Sequence, residues 1–250
     1  MDLGLSGATA LVTGAGSGIG RAVALALFAE GARVMLLDRD EVALRETASG
    51  CPGSAVLVAD VTDEQQVADA VAPIERLDVV VCCAGISGPV GSGIEDITRA
   101  QWDAVFAVNV TGTFLVLQHA LPALRAAARA SGGSGASVVL LSSDSAFVAS
   151  PGMAPYCASK AALVQFARAL SVDLAETGIR VSNVAPSIVD TPMSRGDLGA
   201  TAFAAPGFPV QTADEVAAHV VYLASPRSRA VNGTTLLSDF GYTARSGFPA

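Results

Sequence analysis

Seven short apolar runs recur along the chain: TALVTG, RVMLLD, AVLVAD, DVVVCCAG, SVVLLSS, IRVSNVAP and one near TTLLSD. None alternates strictly between apolar and polar positions, which suits strands covered on both faces rather than half-solvated ones. Between them lie segments of helical pattern over 19–29, 41–48, 64–74, 102–130 and 155–177, and through ADEVAAHVVYLA. Repeated strand–helix order implies parallel strands joined by right-handed crossovers. The pattern predicts an α/β protein: one doubly wound domain over residues 1–250, with a seven-stranded parallel sheet flanked by helices. A chain of 250 residues can bury one large core, and no second one is needed.

Two stretches interrupt the pattern. ASGGSGAS, residues 130–137, reads as a flexible surface loop before the fifth strand. Residues 191–210 are too long and too rich in Gly, Ala and Pro for a simple connection, which makes them a candidate active-site lid.

Composition narrows the class. The chain is 51% hydrophobic and 15% charged, which excludes disorder and points to extensive burial, subunit interfaces included. A net charge of −8 without a basic cluster argues against nucleic acid or an anionic membrane surface. The start, MDLGLSGATALVTG, has no basic region of the kind that opens a secretory signal, so a cytoplasmic protein is expected. The apolar run 104–124 has the length of a membrane span, but Asn109, Thr111, Thr113, Gln118, His119 and Pro122 interrupt it, and a buried helix is the better reading. Four cysteines, two of them the adjacent Cys82 and Cys83, form no disulfide framework, and no His/Cys set has zinc-ligand spacing. No metal site is expected.

Candidate chemistry begins after the first strand, where TGAGSGIG opens directly into a helix. Glycines let the backbone approach a pyrophosphate, and the free N–H groups of a helix N-terminus favour anions. The glycines fall at Gly14, Gly18 and Gly20, a spacing that is neither the common dinucleotide fingerprint nor a Walker loop, and a merely tight strand-to-helix turn would also account for them. Asp38 at the end of the second strand can accept hydrogen bonds from an adenosine ribose and repel a 2′-phosphate, which favours NAD. The adjacent Arg39 is able to hold that phosphate, which keeps NADP as the alternative.

Further along, YCASK places Tyr156 one helical turn before Lys160, so that phenol and ammonium share a helix face. Such a pair also occurs by chance on surface helices, with the lysine in water. Ser143 is expected to end the fifth strand, and in a doubly wound sheet the ligand crevice sits at the C-terminal ends of the strands. That position draws the three polar heads toward one cleft.

With these marks the chain resembles the short-chain dehydrogenase/reductase family from about Leu3 to Tyr242. The shared residues are Thr13, Gly14, Gly18, Ile19 and Gly20, Asp60 and Val61, Ala84 and Gly85, Asn109 and Val110, Ser143, Tyr156 and Lys160, and Pro186 with Thr191, Pro192 and Met193. The resemblance implies a Rossmann-like fold, with Tyr156 as general acid/base, Lys160 lowering its pKa and holding the nicotinamide ribose, and Ser143 orienting the substrate oxygen. Asn109 would join a proton relay from Lys160 to solvent, through a water on its backbone. Cofactor contacts are implied for Gly14, Ser17, Gly18, Ile19, Gly20, Asp38, Arg39, Asp60, Val61, Cys83, Ala84, Gly85, Tyr156, Lys160, Pro186, Val189 and Thr191. Substrate contacts are implied for Ser143, Ser145, Phe147, Met153 and Tyr156, with Ile86 and the lid completing the wall. Three departures stand out: Cys82-Cys83 where the family usually has Asn-Asn, Pro186-Ser187 for Pro-Gly, and Ser238-Asp239-Phe240-Gly241 where Asp-Gly-Gly is common.

Cys157, beside the tyrosine, reads as small filler without a paired base, and His119 and His219 as structural or surface residues. Asp144 beside Ser143 is expected to be solvated. The sequence thus points to an NAD-preferring dehydrogenase or ketoreductase acting on a neutral, fairly apolar secondary alcohol or ketone, as a homotetramer or at least a homodimer. Alternatives are an NADPH-dependent biosynthetic carbonyl reductase and a non-catalytic dinucleotide-binding regulatory protein.

Overall fold

A computed structural model describes residues 2–130, 135–204 and 207–245. Seven strands form one parallel sheet: β1 (Thr9–Thr13), β2 (Arg33–Asp38), β3 (Ala55–Val58), β4 (Val79–Cys82), β5 (Ala136–Leu141), β6 (Ile179–Pro186) and β7 (Thr235–Ser238). Their order is β3-β2-β1-β4-β5-β6-β7. All six pairings are parallel, with Thr13 beside Cys82 at the central β1–β4 pair. The order reverses between β1 and β4, which opens a crevice at the C-terminal ends of those two strands.

Eight α-helices are described: α1 (Gly18–Ala29), α2 (Glu41–Gly50), α3 (Glu64–Val71), α4 (Arg99–Phe106), α5 (Thr113–Ala130), α6 (Ala154–Asp173), α7 (Pro192–Leu198) and α8 (Ala213–Ala224). They flank the sheet on both faces. One core layer joins α1 and α8 to the sheet through Val23, Leu27, Val216 and Val220, and the other joins α3, α5 and α6 through Val67, Leu124 and Leu163. Every side chain of β1, β4, β5 and β6 is buried, which is why these strands show no strict apolar–polar alternation, although β6 also buries Arg180, Ser182 and Asn183. Most helices start on a side-chain cap. Asp40 and Asp63 accept N–H bonds at α2 and α3, and capping boxes open α4, α7 and α8 at Thr98, Thr191 and Thr212. Helices α1 and α6 differ, because neither Ser17 nor Met153 makes a side-chain cap bond.

Several boundaries differ from the sequence reading. The helix expected over 102–130 is α4 and α5 joined by a π-helical turn, Ala107–Gly112, and Pro122 sits inside α5. The combined run Arg99–Ala130 is long and apolar enough to cross a membrane, yet Leu115, Val116, Leu117 and Leu124 are buried against the sheet. The helix expected over 155–177 ends at Asp173, and a short 3-10 turn, Ala175–Thr177, continues it to Gly178 in the left-handed region. Strand β5 stops at Leu141, so Ser143 lies beyond the strand, at the start of a 3-10 turn, Asp144–Ala146. Of the loop expected over 130–137, residues 131–134 lie outside those described, while Ala130 ends α5 and Ala136 opens β5. The 191–210 stretch is more ordered than expected: it holds α7 and a 3-10 turn, Ala200–Phe203, while residues 205 and 206 lie outside the description.

One polar knot ties β6 to the end of α8. The Arg180 side chain is 8% exposed. Its guanidinium donates to the carbonyls of Leu223, Ser225, Ser228 and Val231 at 3.0–3.3 Å, and to Ser228 Oγ at 2.9 Å. A cation suits this place, since the last carbonyls of a helix carry its negative dipole end.

Candidate active site

The crevice holds two connected spaces. A cleft of about 280 Å³ is lined by Gly14, Ser17, Gly18, Ile19, Gly20, Asp38, Arg39, Asp60, Val61, Cys83, Ala84, Gly85, Ile86 and Thr191, among others. Beside it lies a cavity of about 550 Å³ lined by Ser143, Asp144, Ser145, Met153, Tyr156, Lys160, Pro186, Val189, Asp197 and the segment from Asp239 toward Arg245. Ile19, Cys83, Gly85, Thr191 and Met193 border both.

The cleft fits a dinucleotide by its shape and donors. Gly14 has φ +66, and a Cβ there would stand 2.8 Å from the Ala84 nitrogen. A Cβ on Gly20 would overlap the Gly14 carbonyl oxygen, so these two glycines let α1 begin hard against the end of β1. With no side-chain cap on α1, its first N–H groups stay available to a pyrophosphate. Asp38 is fixed at the rim: its Oδ2 accepts the Gly16 N–H at 3.1 Å and its Oδ1 the Asp40 N–H at 3.1 Å. Arg39 is 69% exposed along its side chain and leans toward Asp60, Nη1 to Oδ2 3.7 Å. Asp60 is held below the usual carboxylate range first by the Thr62 N–H, with Thr62 Oγ and Arg39 adding to it against the cost of burial. Where the family usually has Asn-Asn, the Thr13 hydroxyl accepts from the Cys83 and Ala84 nitrogens at 3.1 and 3.2 Å, so the β1–β4 edge keeps its shape without the amide. Burial pushes the Cys82 thiol up to about 12 and Cys83 higher still, which leaves both inert.

At the junction, α6 carries Tyr156 and Lys160 on one face. Lys160 is 6% exposed, and its Nζ donates to the Leu141 carbonyl at 2.9 Å. Nζ also lies 5.5 Å from the centre of the Tyr156 ring. Burial pulls the Lys160 pKa down to about 8, with the neighbouring Cys83 acting the other way. Burial likewise pushes the Tyr156 phenol up to about 12; Ser143 within hydrogen-bonding reach opposes this, while Asp144, Asp197 and Cys157 add to it. Gly85 keeps this spot open, since a Cβ there would come 3.3 Å from Asn109 Oδ1 and 3.5 Å from Lys160 Nζ. Asn109 sits fully buried in the π-helical turn. Its amide spans two elements, accepting from the Ile86 N–H at 2.8 Å and donating to the Ile86 carbonyl at 3.0 Å and Ser159 Oγ at 2.9 Å. Its own carbonyl accepts the Thr113 hydroxyl at 2.8 Å.

Most of the expected site residues therefore meet around one crevice, but not all as expected. Phe147 is 44% exposed and outside the cavity wall, and Ile86 borders the cleft rather than the cavity. Asp144, expected to be solvated, is only partly exposed and accepts the Ser143 hydroxyl at 3.0 Å. Of the charged residues in 191–210, Arg195 is paired with Asp190 at 2.5 and 2.7 Å, and Asp197 accepts the Ser87 hydroxyl at 2.9 Å. Sequence reasoning missed Val90, Tyr242 and Arg245 on the cavity wall; they come from distant parts of the chain, and no local pattern marks them, whereas Leu198 and Phe208 belong to the 191–210 stretch expected there.

This fold and site define a nicotinamide-dependent oxidoreductase of the doubly wound class. A family model described as Enoyl-(Acyl carrier protein) reductase matches residues 14–243. The chain is 34% identical over 264 residues to the D-threitol dehydrogenase of Mycolicibacterium smegmatis, covering 98% of this chain and 96% of that one. It is 36% identical over 252 residues to the 2-(R)-hydroxypropyl-CoM dehydrogenase of Xanthobacter autotrophicus, covering 94% and 98%. An NAD-dependent oxidoreductase of Mycobacterium tuberculosis is 35% identical over 271 residues, covering 95% and 96%. Among solved structures, a short chain dehydrogenase/reductase family protein superposes with a TM-score of 0.88 at 34% identity, covering 98% of this chain and all of that one. The chain belongs to the short-chain dehydrogenase/reductase family of oxidoreductases.

Proposed function

We propose that this protein is an NAD-preferring dehydrogenase or ketoreductase for a neutral, fairly apolar secondary alcohol or ketone. The observation that carries the reading is the meeting of Ser143, Tyr156 and Lys160 where a glycine-lined cleft opens into an apolar-walled cavity. When bound, the nicotinamide exchanges a hydride with the substrate carbon, and its oxidised form brings a positive charge that favours the Tyr156 phenolate. In alcohol oxidation, Tyr156 takes the hydroxyl proton as the carbinol carbon loses its hydride; in reduction it returns that proton to the carbonyl oxygen. Lys160, on the same face one turn away, stabilises the phenolate and holds the ribose. Ser143 fixes the substrate oxygen beside Tyr156. Moving a phenol from about 12 to neutrality requires roughly 7 kcal/mol of preference for its anion, which is why a cation one turn away is needed. The backbone carbonyl of Asn109 completes a water-borne path from Lys160 to solvent.

The NAD preference rests on Asp38, held at the ribose end of the cleft, and on Arg39 being drawn toward Asp60. The neutral-substrate reading is supported by the pairing of Arg195 with Asp190, which leaves no unpaired cation among the described residues of 191–210 to draw in an anionic substrate. Residues 191–210 act as the lid of a single catalytic domain. Homotetramer formation is supported by large apolar side chains left exposed on α5 and α6, such as Phe114 at 44% and Val172 at 75%. A cytoplasmic location accords with four unpaired cysteines. Screening the purified chain for NAD⁺ and NADP⁺ reduction over cyclic and open-chain secondary alcohols, and for NADH oxidation by the matching ketones, tests the reading. No turnover across the panel despite measurable NAD binding would favour a non-catalytic role. A stable 25 kDa particle in light scattering would reject the oligomer.

A further inference from the structure

One carboxylate in the cavity has no part in the mechanism above. Asp144 opens the 3-10 turn after β5, and its Oδ1 accepts the Ser143 hydroxyl at 3.0 Å. No described Lys, Arg or His forms an ion pair with it. A serine hydroxyl has one proton to give and two lone pairs to offer. Here the proton goes to Asp144, and one lone pair takes the Ser145 N–H at 3.1 Å. What remains for Tyr156 and for a substrate is the last lone pair. A hydroxyl favours a neighbouring phenolate only by donating to it, so the downward pull of Ser143 on Tyr156 needs the proton that Asp144 holds.

We propose that Asp144 is a positioning residue that takes the single Ser143 proton, so that Ser143 meets Tyr156 and the substrate as a hydrogen-bond acceptor. An alcohol O–H finds a matched partner in that arrangement. A carbonyl oxygen must first win the proton back from a carboxylate. Asp144 therefore favours the alcohol over the ketone in the resting site and keeps Tyr156 protonated. The consequence for substrate rests on the function proposed above, whereas the placement of the proton does not. The other charged or titratable groups around Tyr156 are Asp197 from α7 and Cys157 and Lys160 from its own helix. Asp197 is already engaged by Ser87 and makes no hydrogen bond to Ser143.

The test is a two-by-two cycle of Ser143→Ala and Asp144→Ala in the full chain without cofactor. Ionisation of Tyr156 is followed by tyrosinate absorbance within milliseconds of a pH jump, before alkali unfolds the chain, with Tyr156→Phe subtracting Tyr222 and Tyr242. Asp144→Ala should lower the Tyr156 midpoint by about one unit, through loss of its charge and release of the Ser143 proton, and adding Ser143→Ala should raise it part of the way back. Ser143→Ala alone should move the midpoint by less than about 0.3 unit, because Ser143 has no proton to give while Asp144 is present. Asp144→Asn, which keeps an acceptor oxygen, should fall between and replaces Asp144→Ala in the cycle if that variant does not fold. Equal effects of Ser143→Ala with and without Asp144 would overturn the proposal, leaving Asp144 a charge at a distance. Because no cofactor or substrate enters this measurement, an inactive alcohol panel would defeat the proposed function without touching this result.

Discussion

Lys160 reaches back from α6 to the last carbonyl of β5, Leu141, at 2.9 Å, while its Nζ stays 5.5 Å from the centre of the Tyr156 ring. The ammonium is thus fixed by the sheet rather than by a carboxylate, and its charge is free to act on the phenol one turn away. Tyr156→Phe removes the proton carrier but not the scaffold. Turnover should fall at least about a hundredfold, within the usual range for a positioned acid/base, while NAD affinity by fluorescence titration changes little. Near-normal turnover would remove Tyr156 from the mechanism.

Burying Lys160 also has a pH signature. Its pKa is depressed from 10.5 to about 8, so between those values the unfolded chain holds a proton that the folded chain has lost. Stability should therefore rise with pH across that window, by up to about 1.4 kcal/mol per unit from this group. Tyr156 works in the opposite direction at higher pH, because its midpoint is raised from 10 to about 12 and the folded chain keeps the extra proton there. Urea unfolding of the ligand-free protein from pH 7 to 10 should show the rise, and Lys160→Met should flatten it. An unchanged slope in the variant would mean that Lys160 is not the group concerned.

Asp38 governs the choice of cofactor in the proposed reading. Replacing it with Ser or Ala removes the charge opposing a 2′-phosphate and leaves Arg39, which needs only to leave a 3.7 Å contact with Asp60. The ratio of kcat/KM for NADP over NAD should rise by roughly one to two powers of ten at fixed ionic strength. If the parent already prefers NADP, or the ratio does not move, Asp38 does not face the ribose.

Arg180 supports the fold from inside. Arg180→Met would take the guanidinium donors from several carbonyls around the end of α8, each of which keeps another donor, and would leave Arg180's place in the core to be refilled; it should cost about 1–3 kcal/mol. Arg180→Lys should recover only part, since three ammonium hydrogens cannot follow the spread of the guanidinium. Chemical denaturation of the three proteins measures both differences, and a cost below about 1 kcal/mol for Met would show that water replaces the guanidinium without loss.

The sheet was legible because its strands are covered on both faces, so an unbroken apolar run such as Val79–Cys82 announces itself without alternation. Gly14, Asp38, Tyr156 and Lys160 could be singled out because their meaning lies in spacing and strand ends. Asp144 could not, since nothing in the sequence says that its carboxylate turns toward Ser143 instead of water. Phe147, implied as a substrate contact by the resemblance, is instead left exposed by the turn after Ser143. The ordered helix within 191–210 was hidden by the Gly, Ala and Pro content of the stretch, although Pro192 suits the first helical position after the Thr191 cap.

The π-helical turn at Ala107–Gly112 was hidden too, because it changes how the backbone is wound and not which residues occur. A π turn carries one residue more than the α turn it replaces, so α4 and α5 are out of phase by about 100°, the angle one helical residue subtends. Trimming a single residue from that turn would keep the composition and the hydrophobic count, yet it would swing Asn109 away from Ile86 and Ser159 or rotate the entire buried stripe of α5. In this segment length is therefore more constrained than residue identity, and variants that shorten it should be rarer than variants that substitute within it.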